Sequence, residues 1–574
     1  PAAPAPGPDP GHVDQEWCQA AATDLAAAGD PVRALDLDFA AGALERARHR
    51  LAEQEAFVLT SASPADIDRW LARLGGADPG LSERLLVMRR YLSGGGVAIP
   101  SRRGPTGLRR LLPAPRLVGT ALALALFLLG WLLPLPPGLA RPGLAALAAI
   151  VATVPLLVFD VLPDYVVMLL LAFALVVPGL VPPETVLSGF ATPAWIMILT
   201  LIAVGAAVSR SGLMFRLVLL SVKRLPPRFV PQSLVLCGTG ILMTAGMTSG
   251  ATRIALGVPI ARGIADAMGF GPRSSGSAAI GLLTFFSFLQ MGELFMTGTF
   301  TGLVVHDLLP ADARQTITWW RWFFVAAPVF VVVFALNYAT ILVLFKPHRE
   351  ARVNLRAIQL QHALLGPITR NEIWSAVVLV SLVVGFATRE VHGLAPAWLA
   401  MAAFLFLFSL GALDQASLQG GGTIGLLVYS GVILSLGTVF GILQIDAWLG
   451  SLVQSGMPPV IANPYGFVLV VGLVAFALHF FVPWMTASTL LALVTMPLAE
   501  GLGFHPFIAV IVTLIGGDHT ILPYVNPGYP IVYFASEGEL FSHAQARRPL
   551  ILEAVYRMAA LLAAVPVWQL TGLM

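Results

Sequence analysis

The chain has 574 residues, 57% of them hydrophobic and only 11% charged, with a net charge of +3. Soluble domains carry about 25% charged residues, so this composition, with a mean hydropathy of +0.81, excludes a soluble enzyme or binding module and indicates an integral membrane protein. So small a net charge excludes a nucleic-acid partner. The apolar runs are long and continuous rather than alternating in roughly ten-residue segments, which predicts helices and not a barrel. Cys18 and Cys237 lie far apart and offer neither a disulfide framework nor zinc-ligand spacing. Of 34 basic residues only Lys223 and Lys346 are lysine; with abundant Ala, Gly and Pro this reads as a GC-rich genome, bacterial, and a cytoplasmic (inner) membrane location.

Residues 1–12 are Pro/Ala low complexity, expected to be disordered and without a signal-peptide pattern. Residues 13–100 differ in character. Leu35, Phe39, Leu44 and Leu51 recur at roughly helical spacing, "SPADIDRWLARLGG" predicts a second helix with Ser63 or Asp66 as its cap and Gly75-Gly76 as its stop, and "GLSERLLVMRRYL" predicts a third. This predicts a small soluble helical domain, followed by a basic linker at 101–116. An extra transmembrane helix is expected at 117–140, and further spans near 143–161, 164–182 and 193–209. "SGLMFRLVLLSVKRLP" at 211–226 has the amphipathic, basic pattern of an interfacial helix. Apolar segments follow at 230–268, 274–308 and 322–346, then a charged connector at 348–372. The second half continues with 373–388, 396–412, 424–450, 463–500, 506–535 and 549–571. Arg102, Arg103, Arg109, Arg110 and Arg116 precede the first span and place the N-terminal domain in the cytoplasm by the positive-inside rule.

Two stretches repeat a pattern. "MTSGATRIALGVP" (247–259) and "MTASTLLALVTMP" (485–497) share the interval from Met-Thr to Pro. Both are soon followed by a Gly-Phe-x-Pro turn, "GFGP" at 269–272 and "GFHP" at 503–506. Each then precedes a helix interrupted near its middle, by "GELFMTGTFTG" (292–302) and "GGDHTILPYVNPGYP" (516–530). Non-helical backbone at membrane depth is tolerated only where it faces protein or a watery cavity. Paired Gly/Pro-interrupted polar segments in corresponding places of two halves point to a transporter binding site. The predicted fold class is therefore an all-α polytopic membrane protein with two inverted repeats, 141–347 and 373–574. Each repeat carries a re-entrant hairpin (229–268 and 463–500) and a broken transmembrane helix (274–308 and 506–535).

At these residues the chain resembles the divalent anion/sodium symporters, the DASS or INDY-type family within the ion transporter superfamily. Members carry Ser-Asn-Thr at two hairpin tips, each followed by a helix unwound at mid-membrane. "HFF" at 479–481 and "LPYVNPGYPIVYF" also look like that family's, and the resemblance covers about 140–574. It implies that the tips and unwound loops hold the substrate carboxylates and sodium. By position, the substrate-binding residues are Thr248, Ser249, Gly250, Thr252, Thr299, Thr486, Ser488, Thr489, Asn526 and Pro527, and the ion-binding residues are Ser249, Thr297, Gly298, Ala487 and Asn526, with sodium at the hairpin tips. The charges of the chain itself, and not the resemblance, add Arg253 to the substrate-binding set and Glu293, Asp518 and His519 to the ion-binding or coupling set. Ala251, Thr301 and Gly528 adjoin them. Neither tip keeps Ser-Asn-Thr: Gly250 and Ser488 stand in place of Asn, and Ala251 in place of Thr.

Arg253 is the atypical feature. A charge at the bilayer centre costs roughly 2.5–3.5 kcal/mol on insertion scales and normally has a partner and a role. Its candidate partner is Glu293; alternatively it binds the substrate anion or stands in for a sodium ion. Asp518 and His519 bring titratable groups to the second break and open proton coupling, since an unperturbed His titrates near pH 6.5. His479 is expected to hydrogen-bond the hairpin. The functional expectation is a secondary active transporter of small di- or tricarboxylates, an ion-coupled homodimer with an elevator-like movement against a scaffold of 117–226 and 322–450. It has no cofactor beyond Na+ or H+ as coupling ion. The alternatives are a sulfate or other inorganic or sulfur-anion transporter, proton-coupled or an exchanger, and a transport-like membrane sensor. A membrane enzyme is not expected: no nucleophile elbow, H-E-x-x-H or metal-ligand cluster is present in the sequence.

Overall fold

The computed structural model describes residues 115–574 apart from 215, 218–219, 221–225, 347–365, 414–422, 455–457, 523–525 and 527, together with 35, 38, 47 and 64–74 nearer the N-terminus. Within 211–226, the expected interfacial helix is only partly covered. The expected linker, most of the connector, the first and third N-terminal helices and Pro527 lie outside the described residues. The chain forms two compact units, Pro1–Arg103 with Gln419–Gly422, and the remainder.

In the first unit, helix α1 (Pro64–Leu74) opens on proline, whose missing N–H costs nothing at a helix start. Ile67 and Trp70, three apart, are fully buried, so one face of α1 meets a core.

In the second unit the helices are α2 (Pro115–Leu132), α3 (Arg141–Val158), α4 (Asp164–Val176), α5 (Pro193–Ser211), α6 (Phe229–Gly246), α7 (Gly250–Ala267), α8 (Ser275–Phe288), α9 (Phe300–Asp307) and α10 (Trp319–Phe345). After the connector come α11 (Arg370–Ala387), α12 (Pro396–Ser409), α13 (Thr423–Ile442), α14 (Ile445–Gln454), α15 (Pro464–His479), α16 (Trp484–Gly501), α17 (Pro506–Gly517), α18 (Gly528–Ala535) and α19 (His543–Leu570). Eight helices among the described residues are long and apolar enough to cross a membrane. The longest, α10 and α19, have 27 and 28 residues, more than the ~20 that span a bilayer. The expected segment 424–450 is two helices, parted where Gln444 takes a positive φ of 53°.

Burial sorts the helices. α10 and α11 are mostly open along their lengths, with Phe324, Val331, Val343 and Val380 exposed as lipid-facing side chains are. In contrast α8 is buried at every position from Gly276 to Phe288, and α17 at all 12 of its residues. These two precede the interrupted segments, and the first break is itself buried from Met291 to Gly298, as a membrane requires of non-helical backbone.

The packing around them is reciprocal. α7 lies against α8, its own half's buried helix, and against α18, the short helix after the other half's break. α16 lies against α17 and against α9 in the same crossed manner. The ends match too. α7 and α16 stop at Gly269 and Gly503, whose φ values of 72° and 81° are left-handed. Phe270 N–H then bonds Ala265 O, and Phe504 N–H bonds Ala499 O, the glycine-capped helix stop. Phe229, opening α6, packs on Phe270 with ring centroids 6.2 Å apart. Phe467, near the start of α15, packs on Phe504 at 5.6 Å.

Small residues permit close contacts. A Cβ added to Gly516 of α17 would sit 3.0 Å from Gly472 Cα and 3.1 Å from Gly472 O of α15. Backbones so close require glycine on both sides. Gly516→Val is therefore expected to force α15 from α17 and destabilise the protein by about 1–3 kcal/mol. A detergent melting curve matching wild type would refute this. Elsewhere, Arg216 donates from Nε to Glu372 Oε1 at 2.7 Å, while Glu372 also accepts from Thr369 N–H at the start of α11. This buried pair ties the region after α5 to α11.

Candidate functional site

The turn Met247–Ser249 joins α6 to α7. Ser249 is the N-cap of α7, accepting from Thr252 N–H at 3.2 Å and from the Thr252 hydroxyl at 2.9 Å. Its short side-chain oxygen satisfies a helix-start N–H that nothing else reaches. Gly250 follows at the first helical position. Arg253, one turn on, is fully buried. Its Nε donates to Phe288 O at 2.8 Å, and Nη1 donates to Met247 O and to Gly298 O at 2.6 Å. One guanidinium thus ties the C-terminal end of α8, the α6–α7 turn and the break between α8 and α9. A cation suits the carbonyl end of α8, where the helix dipole is negative.

The expected Arg253–Glu293 pair is not a direct ion pair. Arg253 is taken up by those three carbonyls, and the cation nearest Glu293 is Arg557, with Nη1 3.9 Å from Glu293 Oε2. The physical reason is position: Glu293 sits in a short 3-10 turn with its own carbonyl held by Trp322 Nε1 at 2.9 Å.

The rest of the first break is closely specified. Thr297 donates its hydroxyl to Ala245 O at 2.6 Å and accepts from Trp319 Nε1 at 3.1 Å. Gly298 has no room for a side chain, since a Cβ would lie 2.1 Å from Gly292 O. Thr299 caps α9 by accepting from Gly302 N–H at 3.0 Å, and Thr301 is buried beside it. The first-half residues Thr248, Ser249, Gly250, Thr252, Arg253, Thr297, Gly298 and Thr299 are therefore gathered into one place. Two polar atoms there are buried without a partner: Thr248 Oγ1 and Arg253 Nη2. Glycine leaves the space about Nη2 open; a Cβ on Gly292 would approach it to 3.0 Å. Leu289 links this region to the second half, because Cβ atoms on both Gly250 and Gly528 would strike its side chain, at 2.7 and 2.2 Å.

The second half differs in register. Helix α16 begins at Trp484 with Pro483 as its N-cap residue. Ser488, which matches Gly250 by the shared motif, thus lies in the second turn rather than at the first helical residue. Pro483 lacks the N–H that a longer loop would have to satisfy, so the helix starts one turn earlier. Thr486 and Thr489 are buried and committed elsewhere, Thr486 to the Tyr429 hydroxyl at 2.7 Å and Thr489 to Met485 O at 2.7 Å. Ser488 donates to Thr513 O at 3.3 Å and faces Gly517, and Ala487 is buried beside it. In the second break, Asn526 Nδ2 donates to Asp518 Oδ1 at 3.3 Å, and its Oδ1 accepts from Gly528 N–H at 2.9 Å. His519 Nε2 lies 3.0 Å from Phe476 O, with the His479 ring centroid 4.8 Å away.

Sequence reasoning passed over Arg557, Glu553 and Gln290. Arg557 Nη2 donates to Asp518 Oδ2 at 3.0 Å and to Gln290 O at 2.8 Å, and Nε donates to Glu553 Oε1. The signal was available: Glu553 and Arg557 stand one turn apart within an otherwise apolar run. Among the described residues no group of three or more His, Cys, Asp and Glu has metal-holding geometry.

The family model of the sodium:sulfate symporter transmembrane region matches residues 115–574. Among solved structures, MtrF of Neisseria gonorrhoeae aligns with a TM-score of 0.50 and 16% identity, over 80% of this chain and 95% of that one. YdaH of Alcanivorax borkumensis gives 0.43 and 15%, over 80% and 99%. At such identity the likeness to MtrF bears on the fold alone. No curated protein matches the chain in sequence. The family match spans the whole helical unit with both breaks, and the chain therefore belongs to the sodium:sulfate symporter family, the divalent anion/sodium symporters, as a multi-pass membrane transporter of small anionic substrates.

Proposed function

We propose that this protein is a secondary active transporter of small divalent organic anions, di- or tricarboxylates, in a bacterial inner membrane with its N-terminal domain in the cytoplasm. The observation that carries the anion reading is the pair of buried, unpartnered polar groups at the start of α7, Thr248 Oγ1 and Arg253 Nη2. A hydroxyl, a guanidinium N–H and a helix N-terminus in one enclosed place suit a carboxylate. The crossed packing of α7 with α18 and α16 with α9 supports two inverted repeats, with paired hairpins moving as one body in an elevator-type cycle within a homodimer. On this reading Ser249, Gly250, Thr252 and Thr299 serve the first half of this site, and Thr486, Ser488, Thr489 and Asn526 the second, with Pro527 assigned to it by its position in the sequence alone.

Arg253 also bears on coupling. Three carbonyl oxygens, of Met247, Phe288 and Gly298, are the kind of ligand that a hard cation takes, and here they receive a guanidinium. On this reading the fixed charge fills the first ion position at Ser249, Thr297 and Gly298. Mobile coupling ions are then left to the second break, at Ala487, Asn526, Asp518 and His519, and to Glu293. Sulfate is the second reading, favoured by the family's description and by the small number of open donors.

The test is uptake of labelled succinate, citrate and sulfate into proteoliposomes under a sodium gradient, a proton gradient, or neither. Carboxylate accumulation with little sodium dependence is expected. Sulfate accumulation alone would replace the substrate, strict sodium dependence would overturn the role given to Arg253, and uptake of none would remove the transport reading.

A further inference from the structure

Where the two breaks meet α19, the structure holds more negative charge than it neutralises. Glu293, Asp518 and Glu553 surround Arg557, and all four are buried. Asp518 is well matched, since one oxygen accepts from Arg557 Nη2 at 3.0 Å and the other from Asn526 Nδ2 at 3.3 Å. The other two are not. Glu553 Oε1 accepts from Arg557 Nε, but its Oε2 has no partner. Glu293 Oε2 stands 3.9 Å from Arg557 Nη1, too far for a hydrogen bond, and is also unpartnered. A further observation comes from outside the carboxylates. Gln290 is fully buried, sends Nε2 to the Thr520 hydroxyl at 2.9 Å, and accepts Arg557 through its backbone carbonyl, yet leaves its amide oxygen Oε1 open. That is a further buried acceptor without a donor, on a residue that itself meets Arg557.

One guanidinium cannot offset three buried carboxylates, and a buried charge without a partner is expelled or neutralised. Arg253 on α7 makes no ion pair with Glu293: its Nε and Nη1 are on carbonyls, and its Nη2 is open without reaching that carboxylate. His519 in the second break lies against His479 of α15, ring centroids 4.8 Å apart, and leaves its Nδ1 unpartnered. A carboxyl O–H eases this arrangement, since it removes one negative charge from the cluster and turns one unpartnered carboxylate oxygen into a donor. We propose that Glu293 and Glu553, held about Arg557, form a binding site for an exchangeable proton.

The placement gives that proton a use. Glu293 belongs to the first break and Asp518 to the second, and both address the same guanidinium on α19. Loss of the proton restores the charge on Glu293 or Glu553, which then competes with Asp518 for Arg557 and pulls on both breaks together. This use in coupling rests on the transport reading; the existence of the site does not.

Infrared difference spectroscopy of the purified full chain in lipid, stepped from mildly acidic to alkaline pH, tests the site without any substrate. The wild type is expected to show a protonated, buried carboxyl band that falls as pH rises. The band should be weakened in Glu293→Gln and in Glu553→Gln, and lost in the double variant. No such band in the wild type, or an unchanged band in both variants, overturns the proposal. If the variants fail to fold, the wild-type pH titration decides alone. Uptake of labelled succinate and sulfate by the same preparation separates the readings: a band without uptake keeps the proton site and removes the transport reading.

Discussion

Arg253→Ala is expected to abolish uptake and to lower stability by about 3–5 kcal/mol, the summed cost of buried carbonyls left without a donor. The side chain is fully buried and serves three carbonyls from three separate segments. Without it Phe288 O, Met247 O and Gly298 O lose their donor inside protein, and each buried unsatisfied group costs about 1–3 kcal/mol. Arg253→Lys keeps the charge but not the planar fork, so it should recover part of the stability and little of the uptake. Thermal unfolding in detergent and proteoliposome uptake, measured on the same preparation, check both parts. Wild-type melting together with wild-type uptake in Arg253→Ala would show that the three-way tie has no consequence.

Gly298→Ala is expected to be nearly as damaging, though it adds one methyl group. The added Cβ would lie 2.1 Å from Gly292 O and 2.9 Å from Thr244 O, both backbone atoms. A side-chain rotation cannot relieve this, because the clash is at Cβ itself. The break must move off the end of α6, carrying Gly298 O away from Arg253. A cost of about 1–3 kcal/mol is expected from overpacking, with uptake falling more steeply than stability because the displaced carbonyl belongs to the site. Thr297→Ser, which keeps the hydroxyl that reaches Ala245 O and receives Trp319 Nε1, is the matched control and should remain close to wild type. Equal behaviour of the two variants would count against the packing argument.

Much of the helix order was readable along the chain. Length and continuity of apolar runs mark membrane helices because the bilayer imposes a minimum span. Gly, Pro and polar residues inside such runs mark breaks because lipid tolerates no open backbone. The interruptions at 292–302 and 516–530 accordingly coincide with the gap between α8 and α9 and the gap between α17 and α18. The sequence also singled out Thr248 to Arg253 and Thr297 to Thr299 as short local motifs, and the structure brings these two motifs together through Arg253 and Thr297.

The second half was read one helical turn out of register. The Met-Thr to Pro interval is shared by both stretches, yet α7 starts inside it, after the Ser249 cap, whereas α16 starts after Pro483, two residues before it and without a side-chain cap.

By itself, then, the sequence determined that this is a helical membrane protein with two polar, interrupted segments in corresponding places, because periodicity and composition are local consequences of the solvent around each segment. Only the tertiary structure decided the partners of the buried charges. Arg253 was expected to meet Glu293 and instead holds carbonyls of three segments, while Glu293 faces Arg557 from a helix more than two hundred and fifty residues later. A buried charge takes whatever acceptors the packed helices bring within about 3 Å. That choice is made by the crossing of α7, α8, α17 and α19, which no stretch of chain contains.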